Sequence, residues 1–154
     1  MTSTRRTARE WAIQMLTAAD LNPPDDVAQF IADQWDQICS LDEEDGGPVK
    51  VKSAMRRFAE ARVEGVLTHL KEIDAAIEPL LENWDLYRLG TIERAVLRMG
   101  VWEISFAEPG VPPPVVINEA IDLANWFSSS KTRPIVNGVL DKYAKSRPRA
   151  TAAE

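Results

Sequence analysis

Hydrophobic residues recur every three or four positions along most of the chain, which is the spacing typical of amphipathic α-helices. The strongest pattern covers residues 91 to 106, and its main apolar side consists of Ile92, Ala95, Val96, Met99, Trp102 and Phe106. Much of the opposite side is covered by Leu97, Val101 and Ile104. A helix that is apolar on two sides must be buried on two sides, so we predict that residues 91 to 106 form the central helix of an all-α core.

The start and the polar strip of this central helix can also be predicted. Thr91 is a suitable N-cap, and Glu93 places a negative charge in the first turn. Only the strip that carries Arg94, Arg98 and Ser105 is left clearly polar.

Two more amphipathic patterns follow the central helix, at about residues 115 to 128 and 133 to 146. Prolines 112 to 114 lead into the first, and Pro134 opens the second, because proline is tolerated only in the first turn of a helix. Trp126 falls on the polar side of the first pattern. Helices joined by such short connections are expected to pack antiparallel.

The chain before the central helix predicts four further helices. They cover residues 4 to 20, Asp25 or Asp26 to Ile38, Val51 to Leu70, and about 73 to 81. We expect the last of these to be capped near Asp74 and to kink or stop at Pro79. The acidic, Gly-Pro-containing segment 41 to 50 is predicted to be a loop, and residues 82 to 90 a linker with room for a single turn.

These patterns predict an all-α, compact bundle of about seven helices. A length of 154 residues fits one domain with its own core. We interpret residues 4 to 82 and 83 to 147 as two packed subdomains, followed by a basic tail, residues 147 to 154.

Four sequence runs carry a family resemblance. The runs RRTAREWAIQML, IERAVLRMGVWEI, VVINEAIDLANWF and VNGVLDK resemble, in order and spacing, the NusB family of bacterial transcription antitermination proteins. The resemblance implies a NusB-like helical fold that binds boxA-type single-stranded RNA together with NusE, a protein of the small ribosomal subunit, within the RNA polymerase antitermination complex. It thereby implies a role in rRNA transcription.

The same resemblance assigns residue roles. It implies that RNA is bound by the basic first helix and by the region around the VNGVLDK motif, through Arg5, Arg6, Arg9, Gln14, Lys131, Arg133, Asn137 and Lys142. By position in the family, the residues that contact NusE are Glu82, Arg88, Glu93 and Arg94. A role in capping the last helix is the alternative for Asn137, and Asn118 and Glu119 are expected to orient or cap helices.

Some positions depart from the family pattern at residues that could stack on RNA bases. Members usually have Tyr at the position of Thr17, Phe at that of Ile135, and Gly at that of Ser128, and Pro134 is also unusual. Trp126 could replace one missing ring, or it could pack under a loop.

The charge of the chain is unevenly distributed. The net charge is -6, yet residues 10 to 130 hold 22 acidic and 9 basic side chains, so the basic residues concentrate at the two ends. If the first helix lies beside the last, these ends form one positive face that can hold phosphates; otherwise they are a solvated start and tail. We expect Arg6 and Arg9 to neutralise phosphate, with no aromatic ring near them.

No pattern of residues indicates catalysis. The single cysteine, Cys39, and the single histidine, His69, provide neither a catalytic set nor a metal site. Glu93 and Glu103 lie toward the apolar side of the central helix but are about 15 Å apart by helical rise, too far for a carboxylate pair. We therefore expect a cytoplasmic binding protein with no cofactor and no metal, the acids at 42 to 45 being solvated.

Two other functions stay open. One is an RNA-targeting module linked to rRNA methylation, which would need a separate catalytic chain. The other is a helical protein-interaction adaptor without RNA binding.

Overall fold

The computed structural model describes residues 4–40, 51–82, 85–127 and 133–146. Within these ranges the chain forms α-helices and two 3-10 turns and no strand, which confirms the all-α prediction. The helices are α1 (Arg5–Leu21), α2 (Val27–Ser40), α3 (Ser53–Thr68), α4 (Leu70–Ile77), α5 (Thr91–Ser105), α6 (Pro113–Phe127) and α7 (Arg133–Ser146). The 3-10 turns are Glu78–Leu80 and Leu86–Arg88.

The chain divides into two compact units, Met1–Leu67 and Thr68–Glu154. This division comes earlier than the predicted boundary near residue 82. The reason is that α4, which the sequence pattern grouped with the first half, packs on α5. The 3-10 turn Leu86–Arg88 occupies the predicted single turn of the linker.

Local capping explains where the helices of the first unit begin. The Thr4 hydroxyl accepts a hydrogen bond from the Thr7 amide at 3.1 Å, which satisfies one of the otherwise unpaired donors in the first turn of α1. Asp26 does the same for α2, where its carboxylate accepts from the Gln29 amide at 3.0 Å. Of the two predicted candidates, Asp25 and Asp26, it is therefore Asp26 that caps α2.

The core of the first unit is built around two tryptophans. Trp11 of α1 and Trp35 of α2 meet edge to face, with ring centroids 5.7 Å apart. The indole nitrogen of Trp35 donates to Glu60 of α3 at 2.7 Å, so the one polar atom of this buried ring has a partner. These contacts join all three helices of the unit.

The second unit is organised around α5, which packs on α4, α6 and α7. Every residue of α5 from Glu93 to Ile104 is buried, which confirms the predicted central helix. The prediction of a polar strip on this helix is wrong in one respect, because Arg94 and Arg98 are also buried. Arg98 is buried because its guanidinium forms a bidentate ion pair with the carboxylate of Asp74 in α4, with N–O distances of 2.8 and 2.9 Å.

Two predicted helix starts are also wrong. Asp74 does not cap α4, which already begins at Leu70, and its carboxylate instead holds Arg98. Thr91 is the first residue of α5, and Gly90 occupies the N-cap position. A Cβ at Gly90 would meet the Glu93 carboxylate, the far end of a flexible side chain, which would have to shift.

Candidate nucleic-acid interface

The predicted RNA-binding residues of α1 divide into exposed and buried positions. Arg5, Arg6 and Gln14 are exposed, whereas Arg9 is only 5% exposed. Arg9 lies one helical turn from Arg5, on the side of α1 that faces α3. The first helix therefore presents part of the predicted basic surface, and one of its arginines belongs to the core.

A half-buried phenylalanine of α3 accounts for the burial of Arg9. The guanidinium carbons of Arg5, Arg9 and Arg62 lie 5.9, 5.1 and 3.5 Å from the ring centroid of Phe58, within the range of cation–π attraction. We call these four residues the Phe58 cluster. The expectation that no aromatic ring lies near Arg9 is therefore wrong. Phe58 is 49 positions away in sequence, so helical periodicity within α1 gave no sign of this contact.

The predicted residues of α7 are presented to solvent. Arg133, Asn137 and Lys142 are all exposed. The capping alternative for Asn137 is wrong, because α7 begins four residues earlier, at Arg133. Asn118 likewise lies inside α6 and is exposed, so it does not cap that helix.

Arg133 and Lys142 each have a side-chain partner, and the two partners differ in charge. Arg133 donates two hydrogen bonds of 3.1 Å to the side-chain oxygen of Asn125, a neutral group that does not compensate the positive charge. Lys142 forms an ion pair with Glu82. The hydrogen bond from Lys142, together with its charge, holds the pKa of Glu82 below its ordinary value. The structure thus joins a predicted RNA-binding residue to a predicted partner-binding residue.

The aromatic residues near the end of α6 bear on base stacking. Trp126 is 75% exposed, which confirms its predicted outward position. At the two positions that lack the family's rings, Thr17 donates to the Ile13 carbonyl at 2.8 Å within α1, and Ile135 is half-buried. Trp126 is therefore the ring that this part of α6 presents to solvent.

The predicted partner-binding residues also divide by burial. Glu82 and Arg88 are exposed, but Glu93 and Arg94 are 5% and 7% exposed, so their side chains do not form an accessible surface. Arg94 donates to the Leu89 carbonyl at 2.7 Å and stabilises the 3-10 turn before α5.

Sequence reasoning missed Tyr87 in that turn. Its ring is 63% exposed and lies 5.0 Å from the Arg94 guanidinium carbon, and its hydroxyl accepts from Arg98 at 3.3 Å. No periodic pattern covers this short linker, so only its aromatic character could have indicated an exposed contact residue.

Several predictions concern residues outside the described ranges. These residues are Lys131, Ser128, the segment 41–50 and the tail 147–154.

His69 stacks on Phe106 with ring centroids 4.2 Å apart, and Cys39 is half-buried. Among the residues that can be described, no group of three or more His, Cys, Asp or Glu side chains could hold a metal ion. None of the helices in the same ranges is long and apolar enough to cross a membrane.

Comparison with protein families gives a match over most of the chain. The NusB family model matches residues 6–145. The transcription antitermination protein NusB of a Nitratiruptor species is 39% identical over 143 residues, which are 93% of this chain and 93% of that protein. NusB of Helicobacter hepaticus is 36% identical over 155 residues, covering 99% of this chain and 88% of the relative.

Solved structures show the same similarity in three dimensions. T. maritima NusB superposes with a TM-score of 0.78 at 28% identity, covering 98% of this chain and 97% of that one. A chain in the crystal structure of antitermination factors NusB and NusE in complex with dsRNA gives a TM-score of 0.75 at 27% identity, covering 93% and 97%.

Proposed function

The chain belongs to the NusB family, and on that premise we propose that it is an RNA-binding transcription antitermination factor that binds boxA-type RNA together with NusE. The observation that carries this proposal is its similarity, over 93% of its length, to a chain in a crystal structure of NusB and NusE with RNA. The shared architecture supports a shared mode of action. An exposed cationic surface in each unit adds independent physical support.

For RNA, we propose that Arg5 and Arg6 of α1 supply charge to phosphates, and that Gln14 and Asn137 contact base edges. Exposed guanidinium groups suit phosphate, and amide side chains suit the donors and acceptors of bases. We extend the same role to Arg133, Lys142 and Lys131. Arg9 contributes indirectly, because its guanidinium is packed in the Phe58 cluster and holds α1 against α3.

For NusE, we propose a surface at the 3-10 turn before α5. Tyr87 and Arg88 are exposed in this turn, and Glu82, which precedes it in sequence, is also exposed. Glu93 and Arg94 are buried. Arg94 supports this surface from beneath, because it donates to the Leu89 carbonyl at the end of the turn. The acidic character of residues 10 to 130 complements a basic ribosomal protein.

We propose further that the protein acts by binding and has no catalytic activity of its own. The relatives' names describe antitermination and no chemical reaction. A role in bacterial transcription places the protein in the cytoplasm, where RNA polymerase works.

Fluorescence anisotropy with labelled RNA tests the proposal. The purified chain is titrated into boxA-type RNA and into scrambled RNA of the same length, with and without the NusE homologue of the same organism. We expect weak binding by the chain alone and tighter binding with NusE, because two surfaces then share one strand. Absence of RNA binding at low salt in both conditions would contradict the proposed function and favour a protein-interaction adaptor.

A further inference from the structure

Trp126 is the feature of the second unit that the family resemblance does not explain. It is 75% exposed, whereas Trp11, Trp35 and Trp102 are each no more than 8% exposed. Burying such a ring removes about 150–250 Å² of surface from water, so leaving it exposed forgoes a large stabilisation. Exposed tryptophan side chains are enriched where a protein binds a partner.

The surroundings of Trp126 indicate which kind of partner fits. The adjacent residue, Asn125, accepts both hydrogen bonds from Arg133, so the guanidinium at the start of α7 is held against the end of α6. This contact orders the cation without neutralising it. One helical turn further along α7, Asn137 is exposed, and a Cβ added at the neighbouring Gly138 would meet no atom within 4 Å. The surface beside Asn137 is therefore open.

We define the Trp126 edge as Asn125, Trp126, Arg133 and Asn137. An indole, a guanidinium whose described hydrogen-bond partner is a neutral amide, and an exposed amide are groups with which proteins hold single-stranded RNA. The ring stacks on a base, the cation contacts phosphate, and the amide reads base edges. Three of the four residues of this edge are polar, which fits an apolar protein partner poorly.

We propose that the Trp126 edge binds single-stranded RNA, with Trp126 stacked on an unpaired base and Arg133 on a neighbouring phosphate. This inference rests on the proposed function and adds a stacking residue to it. Trp126 thereby takes over the role of a ring that is missing at Thr17 or Ile135.

The test compares Trp126→Ala and Trp126→Phe with the unchanged chain by anisotropy. Loss of one base–aromatic stack is expected to weaken binding of single-stranded RNA about tenfold for Trp126→Ala, whereas Trp126→Phe keeps most of the affinity. The same sequence as a duplex should bind all three proteins alike, because its bases are already stacked. Leu21→Ala is the matched control, since Leu21 is an apolar side chain of similar exposure, 72%, in the other unit.

A salt series separates stacking from charge. Trp126→Ala should leave the slope of log affinity against log salt unchanged, while Arg133→Ala should reduce its magnitude by about 0.7, the value for one single-strand phosphate. Tryptophan fluorescence adds a direct readout: RNA should quench emission in the unchanged chain, and Trp126→Phe should lose that quenching while it still binds.

The possible failures are distinguishable. If the unchanged chain binds no RNA, both the proposed function and this inference are overturned. If it binds and Trp126→Ala binds equally well, the stacking role is overturned while the proposed function stands. If Trp126→Ala keeps RNA affinity but loses self-association in sedimentation, the edge is a contact between copies of the chain, and the inference is likewise overturned.

Discussion

Two arginines one turn apart on α1 illustrate how burial decides the role of a residue. Arg6 is exposed, whereas Arg9 is 5% exposed and lies in the Phe58 cluster. Both have the same charge, and the sequence predicts the same role for both, the neutralisation of phosphate. Only the structure shows that one can contact phosphate directly and that the other stabilises the packing of α1 on α3.

We therefore predict different effects for the two alanine substitutions. Arg9→Ala should lower the free energy of unfolding by about 1–2 kcal/mol, because it removes a buried stem and a shielded cation–π contact. Arg6→Ala should change that free energy by no more than about 0.5 kcal/mol. For RNA binding, Arg6→Ala should flatten the salt dependence by about 0.7, equally for boxA and scrambled sequences.

Urea unfolding and anisotropy on the same two variants check this prediction. Arg6→Lys serves as the control, since it retains the charge and should retain the salt slope. Equal stability of Arg9→Ala and the unchanged chain would show that the Phe58 cluster contributes nothing to folding. Loss of boxA preference in Arg6→Ala, with affinity for scrambled RNA retained, would show that Arg6 reads bases.

A second prediction at the residue scale concerns Glu82 and Lys142. The hydrogen bond and charge of Lys142 hold the pKa of Glu82 below its ordinary value of 4.5. Because the folded-state pKa is the lower one, any stabilisation by this pair is present above the unfolded-state pKa and disappears as pH falls through the folded-state pKa. Lys142→Met should raise the pKa of Glu82 toward 4.5.

An NMR titration of the Glu82 side-chain carboxyl carbon measures this shift. High salt should reduce the difference between the two proteins, because both side chains are exposed and screened. Lys145→Met is the matched control, since Lys145 pairs with Asp141 at 3.0 Å and should leave Glu82 unaffected. An unchanged pKa in Lys142→Met would mean that the ion pair does not persist in solution.

At the scale of the helices, local rules predicted most elements because their signals lie within a few residues. Asp26 caps α2, and α6 starts among the prolines that cannot continue a helix. The errors occur where a distant residue determines the outcome. Aspartate is a residue type that often caps helices, but the Asp74 carboxylate forms an ion pair with Arg98, 24 positions away. The same ion pair buries an arginine that periodicity had left on a polar strip.

The contact between α5 and α7 allows a prediction about glycine. A Cβ at Gly100 would lie 2.9 Å from both methyl carbons of the fully buried Leu140. Overpacking of this kind costs about 1–3 kcal/mol, and the gain of about 1 kcal/mol in helix propensity offsets part of it. Gly100→Ala should therefore destabilise the protein by about 1 kcal/mol.

Gly138→Ala is the matched control on α7. The added Cβ meets no atom within 4 Å, so the substitution should stabilise by about 0.4–1 kcal/mol through the unfolded state. Urea unfolding of both variants gives the comparison. Stabilisation of similar size by both alanines would show that Leu140 moves aside at no cost and that α5 and α7 are not tightly packed there.

For the whole molecule, sequence patterns predicted the helical class and the central helix but placed the division between subdomains near residue 82. The compact units divide at Leu67 and Thr68, because α4 packs on α5. Such a boundary depends on contacts between helices, which hydrophobic periodicity does not encode. The exposed position of Trp126 was predicted, since it follows from the helix face on which the residue lies.

The cooperation with NusE yields the last prediction. If NusE strengthens RNA binding by some factor, RNA must strengthen NusE binding by the same factor. The proposed cause is that both proteins hold one strand, which raises the effective concentration of the second contact. Shortening the RNA until it reaches only one protein should therefore abolish the coupling while the chain still binds NusE. Calorimetric titrations of each pair, with and without the third component, measure the factor for long and short RNA. Coupling that persists with the short RNA would instead require NusE to change the RNA surface of the chain, because no shared strand would then remain to connect the two proteins.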